Sequence, residues 1–188
     1  MLTPKKRKTD FLAPASGFLE NYLSLKTATL RSSRDRLAAA VKTIQNARRA
    51  GEATYLTDGI YRDGQLFRFA CSDLNERYAR RRIDLVVAYD STSLPLAAPL
   101  AYFVGTGLAV LQPSARGPIL DLQSIPEGCR TLLVADILDR GTQLASGVAL
   151  LKQGKGELVE IVTLLEITSS EGTKTLAPVP TYSVCKIG

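Results

Sequence analysis

A chain of 188 residues is long enough for one domain with a substantial core and an appendage, and its 45% hydrophobic and 22% charged residues are the balance of a globular protein. It has no histidine, which excludes imidazole general bases, Ser-His triads and histidine metal ligation, and its three cysteines (Cys71, Cys129, Cys185) follow no ligand or disulfide spacing. The net charge of +6 belongs to one end: residues 1–54 hold 11 Lys/Arg and 4 Asp/Glu, residues 55–188 hold 13 and 14, an asymmetry that points to a basic arm meeting a polyanion.

Residues 1–32 read as irregular, with the basic cluster KKRK at 5–8 followed by Pro14 and Gly17. From Ser33 the spacing predicts an amphipathic helix over about 33–50. Ser33 can cap it, Gly51 can end it, and Leu37, Val41 and Ile44 share a face with Ala40 and Ala47. That face is expected to dock on the chain's own domain. Lys5, Lys6, Arg7, Lys8, Arg34, Lys42, Arg48 and Arg49 are the candidate polyanion contacts. The organisation expected is a basic N-terminal extension over 1–54 and a domain over 55–188. Arg80, Arg81 and Arg82 form a second basic cluster at a helix C-terminus, where cations complement the dipole; a polyanion contact is the second reading.

The grammar then changes. RIDLVVAYD (82–90), LAVLQ (108–112), CRTLLVAD (129–136), LVEIVTLLEI (158–167) and TYSVCKI (181–187) read as strands, with helices over 95–107 and 141–156 between them. Strands that are apolar throughout and separated by helices imply an α/β fold, a mostly parallel sheet covered on both faces. Ligands of such sheets bind at the carboxyl ends of the strands. VADILDRGTQL (134–144) has the pattern of a phosphate site there, an acidic strand end and a Gly/Thr loop opening a helix. No apolar run reaches the length of a membrane span, and the N-terminus lacks a signal-peptide apolar core, so no membrane insertion and an intracellular, reducing location are expected. The basic N-terminus with its Ser and Thr favours the mitochondrial matrix over the cytoplasm, although Asp10 and Glu20 interrupt it.

Over about residues 59–188 these blocks resemble the adenine phosphoribosyltransferase family. LFR at 66–68 resembles the family's base-pocket segment, which suggests Phe67 and Arg68 near a base. RIDLVVAYDS with PLAAPLAYFVGTGLAVL is similar to its strand, pyrophosphate loop, helix and next strand. TLLVADILDRGTQL resembles its signature for the sugar-phosphate donor, phosphoribosyl pyrophosphate (PRPP). LVEIVTLLEITSSEGTKTLAPVPTYSVCKI is similar to its C-terminal strand, connection and final strand. The resemblance implies a type I phosphoribosyltransferase fold, Mg²⁺ arriving with PRPP in an active member, and a homodimer.

Residue by residue, the chain departs from that pattern. Of the two adjacent carboxylates the family uses for the ribose hydroxyls, the first position is Ala135 and only Asp136 remains. In the loop, Gly141 keeps the backbone permissive, but Arg140 and Gln143 stand where threonines would donate hydroxyls and Thr142 where a glycine would be. Asp139 resembles the acidic residue near the base in other purine phosphoribosyltransferases and is the one candidate proton acceptor; alternatively it pairs with Arg140 or caps the next helix. The pyrophosphate loop reads Asp90-Ser91-Thr92-Ser93, without the family's arginine and glycine, and the next strand ends Gln112-Pro113 in place of Arg-Lys. A leaving pyrophosphate then lacks stabilising cations, Arg116 being the nearest in sequence. Between Gln112 and Cys129 the span PSARGPILDLQSIPEG is too short for the family's closing lid, and its carboxylates are Asp121 and Glu127. Losses in four separate elements point to a pseudoenzyme with a vestigial PRPP site at Asp136, Asp139, Arg140, Gly141, Thr142 and Gln143. The role expected is a structural subunit that binds RNA or protein in a larger assembly such as a mitochondrial ribosome, with no cofactor. The alternatives are a divergent but active purine phosphoribosyltransferase and a non-catalytic nucleotide or PRPP sensor.

Overall fold

The computed structural model describes residues 16–45, 53–112 and 114–188. Helix α1 (Ser16–Ala40) leads into an antiparallel pair of short strands, β1 (Lys42–Gln45) and β2 (Ala53–Leu56). This differs from the sequence reading at both ends of the helix. The segment 16–32, read as irregular, is helical, because after Gly17 it contains no glycine or proline to interrupt a run of ordinary helix formers. The helix expected to reach residue 50 ends at Ala40. Its successor KTIQ has two β-branched residues, and pairing with ATYL gives that backbone a ladder instead. The docking face is as read at Leu37, which is fully buried in the core.

Two helices follow: α2 (Asp58–Arg62), a single turn, and α3 (Gly64–Tyr78), whose start is fixed by Asp63 accepting hydrogen bonds from the Gln65 and Leu66 amides. The sheet is built from β3 (Leu85–Ala88), β4 (Gly107–Val110), β5 (Arg130–Leu138), β6 (Glu157–Ile167) and β7 (Thr181–Ile187). All five are parallel, in the order β4–β3–β5–β6–β7. Between them lie α4 (Leu94–Val104), ended by Gly105 at φ +72°, α5 (Thr142–Leu151), and the short α6 (Gly172–Leu176). The five strands and two principal helices of the sequence reading are all present, as an apolar parallel sheet requires.

Alternation along β5 shows both faces covered. Leu132 and Val134 pack with α1, α3 and α4, while Leu133 and Ala135 pack with α5 and the segment around Ile125. Beneath α3, the buried Glu160 of β6 accepts from Arg77 at 2.5 Å and from the Tyr78 hydroxyl at 2.6 Å. The Arg77 guanidinium also lies 3.9 Å from the Tyr182 ring centre, and the Tyr182 hydroxyl bonds Asp73. Arg34 of α1 joins this group through Asp73 at 3.2 Å. The charged groups on this side therefore tie α1 and α3 to the sheet. No helix among the described residues is long and apolar enough to cross a membrane.

Candidate functional site

The register Ala88↔Val134 brings the carboxyl ends of β3 and β5 side by side, and with them Asp90 and Asp136. Both carboxylates are engaged by the chain itself. Asp90 Oδ1 accepts from Thr92 Oγ1 at 2.7 Å, from the Ser93 amide at 3.0 Å and from Ser93 Oγ at 2.7 Å, so it caps the turn Ser91–Ser93 that opens α4. Ser91 and Thr92 are exposed and Ser93 is buried. Asp136 lies within β5, which runs two residues beyond the strand end read from sequence. Its Oδ1 accepts from the Tyr61 hydroxyl at 2.6 Å and its Oδ2 from the Thr57 hydroxyl. Burial pushes the Asp136 carboxyl above its ordinary range, the two hydroxyl bonds pull it back, and the nearby charge of Asp90 pushes it up again. Burial, then the Asp136 charge, raises the Tyr61 phenol.

Thr57 and Tyr61 had no signal in the sequence as site residues. They reach Asp136 across 79 and 75 residues of chain, and neither sits in a recognisable motif. Phe67 stands next to them, its ring edge-on to Tyr61 with centres 5.8 Å apart. Arg68 is exposed and lines a groove with Asp63, Gln65 and Ser72, and among the described residues it bonds neither Asp90 nor Asp136.

The loop read as a donor signature turns at Gly141. Gly141 sits at φ +77°, the left-handed region that favours glycine, and an added Cβ there would come within 2.7 Å of the Gly172 carbonyl oxygen. A Cβ at Gly172 would come within 1.9 Å of the Asp139 carbonyl oxygen. The loop and the start of α6 therefore meet backbone to backbone. No side chain caps α5, so no capping group takes up its first-turn amides. Asp139 is half-buried, and Arg140, Thr142 and Gln143 are exposed. The Gln143 carbonyl accepts from the Tyr89 hydroxyl at 2.9 Å and from Ser146 Oγ at 2.6 Å, so Tyr89, another residue without a sequence signal, ties the end of β3 to α5.

Within the span expected to be too short for a lid, residues 114–119 turn back tightly. Gln112 and Ile119 form an antiparallel bridge, and Gly117 at φ +110° closes a turn from Ser114, with Arg116 exposed in it. Asp121 accepts from the Gln123 amide and caps the turn Leu122–Ser124. Of the polyanion candidates, Lys5, Lys6, Arg7, Lys8, Arg48 and Arg49 lie outside the described residues. Lys42 opens β1, and Arg34 is engaged by Asp73. No group of three or more His, Cys, Asp or Glu side chains suited to a metal ion occurs among the described residues.

No family model matches the chain. In sequence it is 26% identical over 175 residues to an adenine phosphoribosyltransferase of Methylacidiphilum infernorum, covering 84% of this chain and 98% of that protein. It is 27% identical over 139 residues to that of Chloroflexus aurantiacus, covering 65% and 80%. Among solved structures, adenine phosphoribosyltransferase from Rhodothermus marinus superposes with a TM-score of 0.75 at 22% identity, over 84% of this chain and 99% of that one. The Saccharomyces cerevisiae enzyme, solved with an imino-altritol bisphosphate and adenine, superposes with a TM-score of 0.70 at 21% identity, over 82% and 99%.

Proposed function

From a chain of the type I phosphoribosyltransferase fold, related in sequence to the adenine phosphoribosyltransferases, we propose a pseudoenzyme that serves as a structural, RNA- or protein-binding subunit of a larger assembly, such as a mitochondrial ribosome. The observation that carries the first part is the closure of Asp136. The one carboxylate left for the ribose hydroxyls has both oxygens taken by Thr57 and Tyr61. A donor sugar would have to share each oxygen with a hydroxyl already bonded to it, or displace that hydroxyl and only restore the bond it removed. Asp90 is held through Oδ1 alone, by Thr92 and Ser93. The departing pyrophosphate would meet Ser91 and Thr92 in the loop and Gln112 two residues beyond β4, none of them a cation. A Mg²⁺ ion would come only with PRPP, and the two carboxylates nearest the site are already engaged within the chain.

The role in an assembly is supported by the basic N-terminal 54 residues, which give sequence-independent affinity for phosphate backbones. A matrix location belongs to the same reading, as does a homodimer in the absence of other partners.

A second reading has its own support. Gly141 and the uncapped start of α5 preserve the backbone of an anion loop, and the sequence relatives are adenine phosphoribosyltransferases. On that reading the chain binds PRPP, either as a sensor or as a divergent enzyme with Asp139 as proton acceptor. The test is calorimetric titration of the full chain with PRPP and Mg²⁺, followed by chromatographic detection of AMP after adding adenine. The pseudoenzyme reading expects neither heat nor AMP. Heat without AMP selects the sensor, and AMP formation that disappears in Asp139→Ala selects the enzyme. For the assembly, sedimentation of the native protein with and without RNase expects a heavy particle that RNase releases. A small monomer or dimer under both conditions overturns it.

A further inference from the structure

Three arginines in succession, Arg80, Arg81 and Arg82, fill the turn between α3 and β3, at the amino ends of the strands. All three are exposed. Arg80 has no hydrogen-bond or ion-pair partner among the described residues. Arg81 lies 3.4 Å from Glu160, but Arg77 already meets that carboxylate at 2.5 Å, so the two cations exceed it by one charge. Arg82 is 78% exposed and reaches Asp84 only at 3.5 Å. Arg130, at the start of β5, joins the patch by donating to the Arg82 carbonyl at 2.9 Å and to Glu157 at 2.8 Å. Lys155, exposed before β6, is held beside it through its carbonyl, which accepts from the Gly128 amide at 2.9 Å. The dipole of α3 is already met by Arg77 in its last turn, and it does not explain three more arginines beyond. Helix α1 runs opposite to α3, since Arg34 meets Asp73 while Arg36, further along, meets Asp63 and Gln65. The amino end of α1 is therefore directed to the same end of the sheet, and its Arg31 is exposed.

We propose that this amino-end face, centred on Arg80, Arg81 and Arg82, binds the phosphate backbone of RNA. The inference rests on the proposed role in an assembly and gives that role a surface on the folded domain, apart from the basic arm. Five cations (Arg80, Arg81, Arg82, Arg130 and Lys155) stand against three carboxylates (Asp84, Glu127 and Glu157), two of which are already engaged by Arg82 and Arg130. A guanidinium can bond two phosphate oxygens at once, and Arg80 and Arg82 are free to turn toward them. The nearby rings give bases no platform, because Tyr78 is buried and Tyr182 is half-buried beneath Arg77. The contact is therefore to the backbone and independent of base sequence. A lipid surface fits less well, since it asks for a row of apolar side chains beside the cations, and Leu108 is the one exposed large apolar residue that shares a cleft with Arg82. An acidic protein segment lacks the same apolar centre to pack on. The face lies at the opposite end of the sheet from Asp90 and Asp136, so it is independent of the donor site.

The test is titration of the full chain into a fluorescein-labelled, mixed-sequence single-stranded RNA of about 20 nucleotides, read by anisotropy at several salt concentrations. The double variant Arg80→Gln/Arg82→Gln is expected to bind about tenfold more weakly near ~0.1 M salt, and to flatten the slope of log affinity against log salt by about 1.4, two phosphate contacts at about 0.7 each. Arg80→Lys/Arg82→Lys keeps both charges and is expected to keep the slope. If the glutamine variant loses the wild-type circular dichroism or melting temperature, Lys155→Gln decides, with an expected flattening of about 0.7. RNA binding by the wild type with an unchanged slope in the glutamine variants overturns the proposal. The assembly role then stands on its arm, and loss of binding on changing Lys5, Lys6, Arg7 and Lys8 to Gln assigns the contact there. Absence of RNA binding by the wild type overturns the proposal together with the RNA part of that role. Displacement of the RNA by polyglutamate or by phosphatidylserine vesicles at matched charge concentration overturns RNA as the partner and names an acidic protein or a lipid surface instead.

Discussion

Two strand carboxylates of this fold have opposite company. Glu160, in β6, is buried among cations: Arg77 at 2.5 Å, Arg81 at 3.4 Å, and the Tyr78 hydroxyl at 2.6 Å. Asp136, in β5, is enclosed by two neutral hydroxyls and has another carboxylate, Asp90, nearby. A buried charge with its countercharge is a structural element that joins a helix to a sheet. A half-buried carboxylate without one keeps a desolvation cost that nothing in the chain offsets with charge, which on the proposed reading marks a former ligand position.

The comparison breaks most visibly on the structural side. Glu160→Ala strands Arg77 and the Tyr78 hydroxyl beneath α3, and the expected loss is about 4 kcal/mol in urea unfolding, since removing one member of a buried pair leaves the other uncompensated. A loss below about 1 kcal/mol would mean that solvent reaches the pair and that the two carboxylates differ less than their neighbours suggest. Next in size is Gly172→Ala, expected to cost about 3 kcal/mol because the new Cβ meets the Asp139 carbonyl oxygen at 1.9 Å and backbone must move. This checks whether the signature loop's shape is held by packing against α6. If it is, Gly141 and Gly172 serve folding whether or not a donor binds.

The same division explains what the sequence could show. The five strands were legible because residues such as Val86, Val87, Leu132 and Leu133 form unbroken apolar runs, and a parallel sheet covered on both faces demands them. The Gly141 loop was legible because its residues are consecutive. The extent of α1 and the β1–β2 pair were not, because this polar stretch has no sustained apolar period and its strands are only four residues long. Thr57 and Tyr61 were invisible for a different reason. A hydrogen bond that spans 75 or 79 residues leaves no local pattern, and only the fold brings α2 over the end of β5.

Smaller effects sharpen the Asp136 side. Its folded-state carboxyl is raised above the ordinary value of 3.8, so the folded protein holds a proton that the unfolded chain releases at lower pH. The wild type is therefore stabilised by this group at low pH and loses that contribution as pH rises through the raised value. Asp136→Asn has no charge to titrate. Urea unfolding of both proteins at several pH values above about 4 should show the wild type losing ground to the variant as pH increases. The reverse slope would mean that a cation reaches Asp136 and that the site is open.

Tyr61→Phe is the smallest change and the most pointed, with an expected loss of about 1 kcal/mol near neutral pH, where the missing hydroxyl had bonded a carboxylate. That bond favours the ionised form, so its removal should matter less in acid, where a protonated Asp136 carries no charge to stabilise. The substitution also leaves Oδ1 without its donor while Thr57 still holds Oδ2, which half-opens the proposed ribose position without adding any cation. Titration of this variant with PRPP and Mg²⁺ separates the two causes of a closed site. If affinity appears where the wild type has none, the hydroxyl latch alone keeps the donor out, and the anion loop at Gly141 still works. If none appears, opening Asp136 is not enough, and the proposed reading places the deeper loss in the cations that Ser91, Thr92 and Gln112 do not supply.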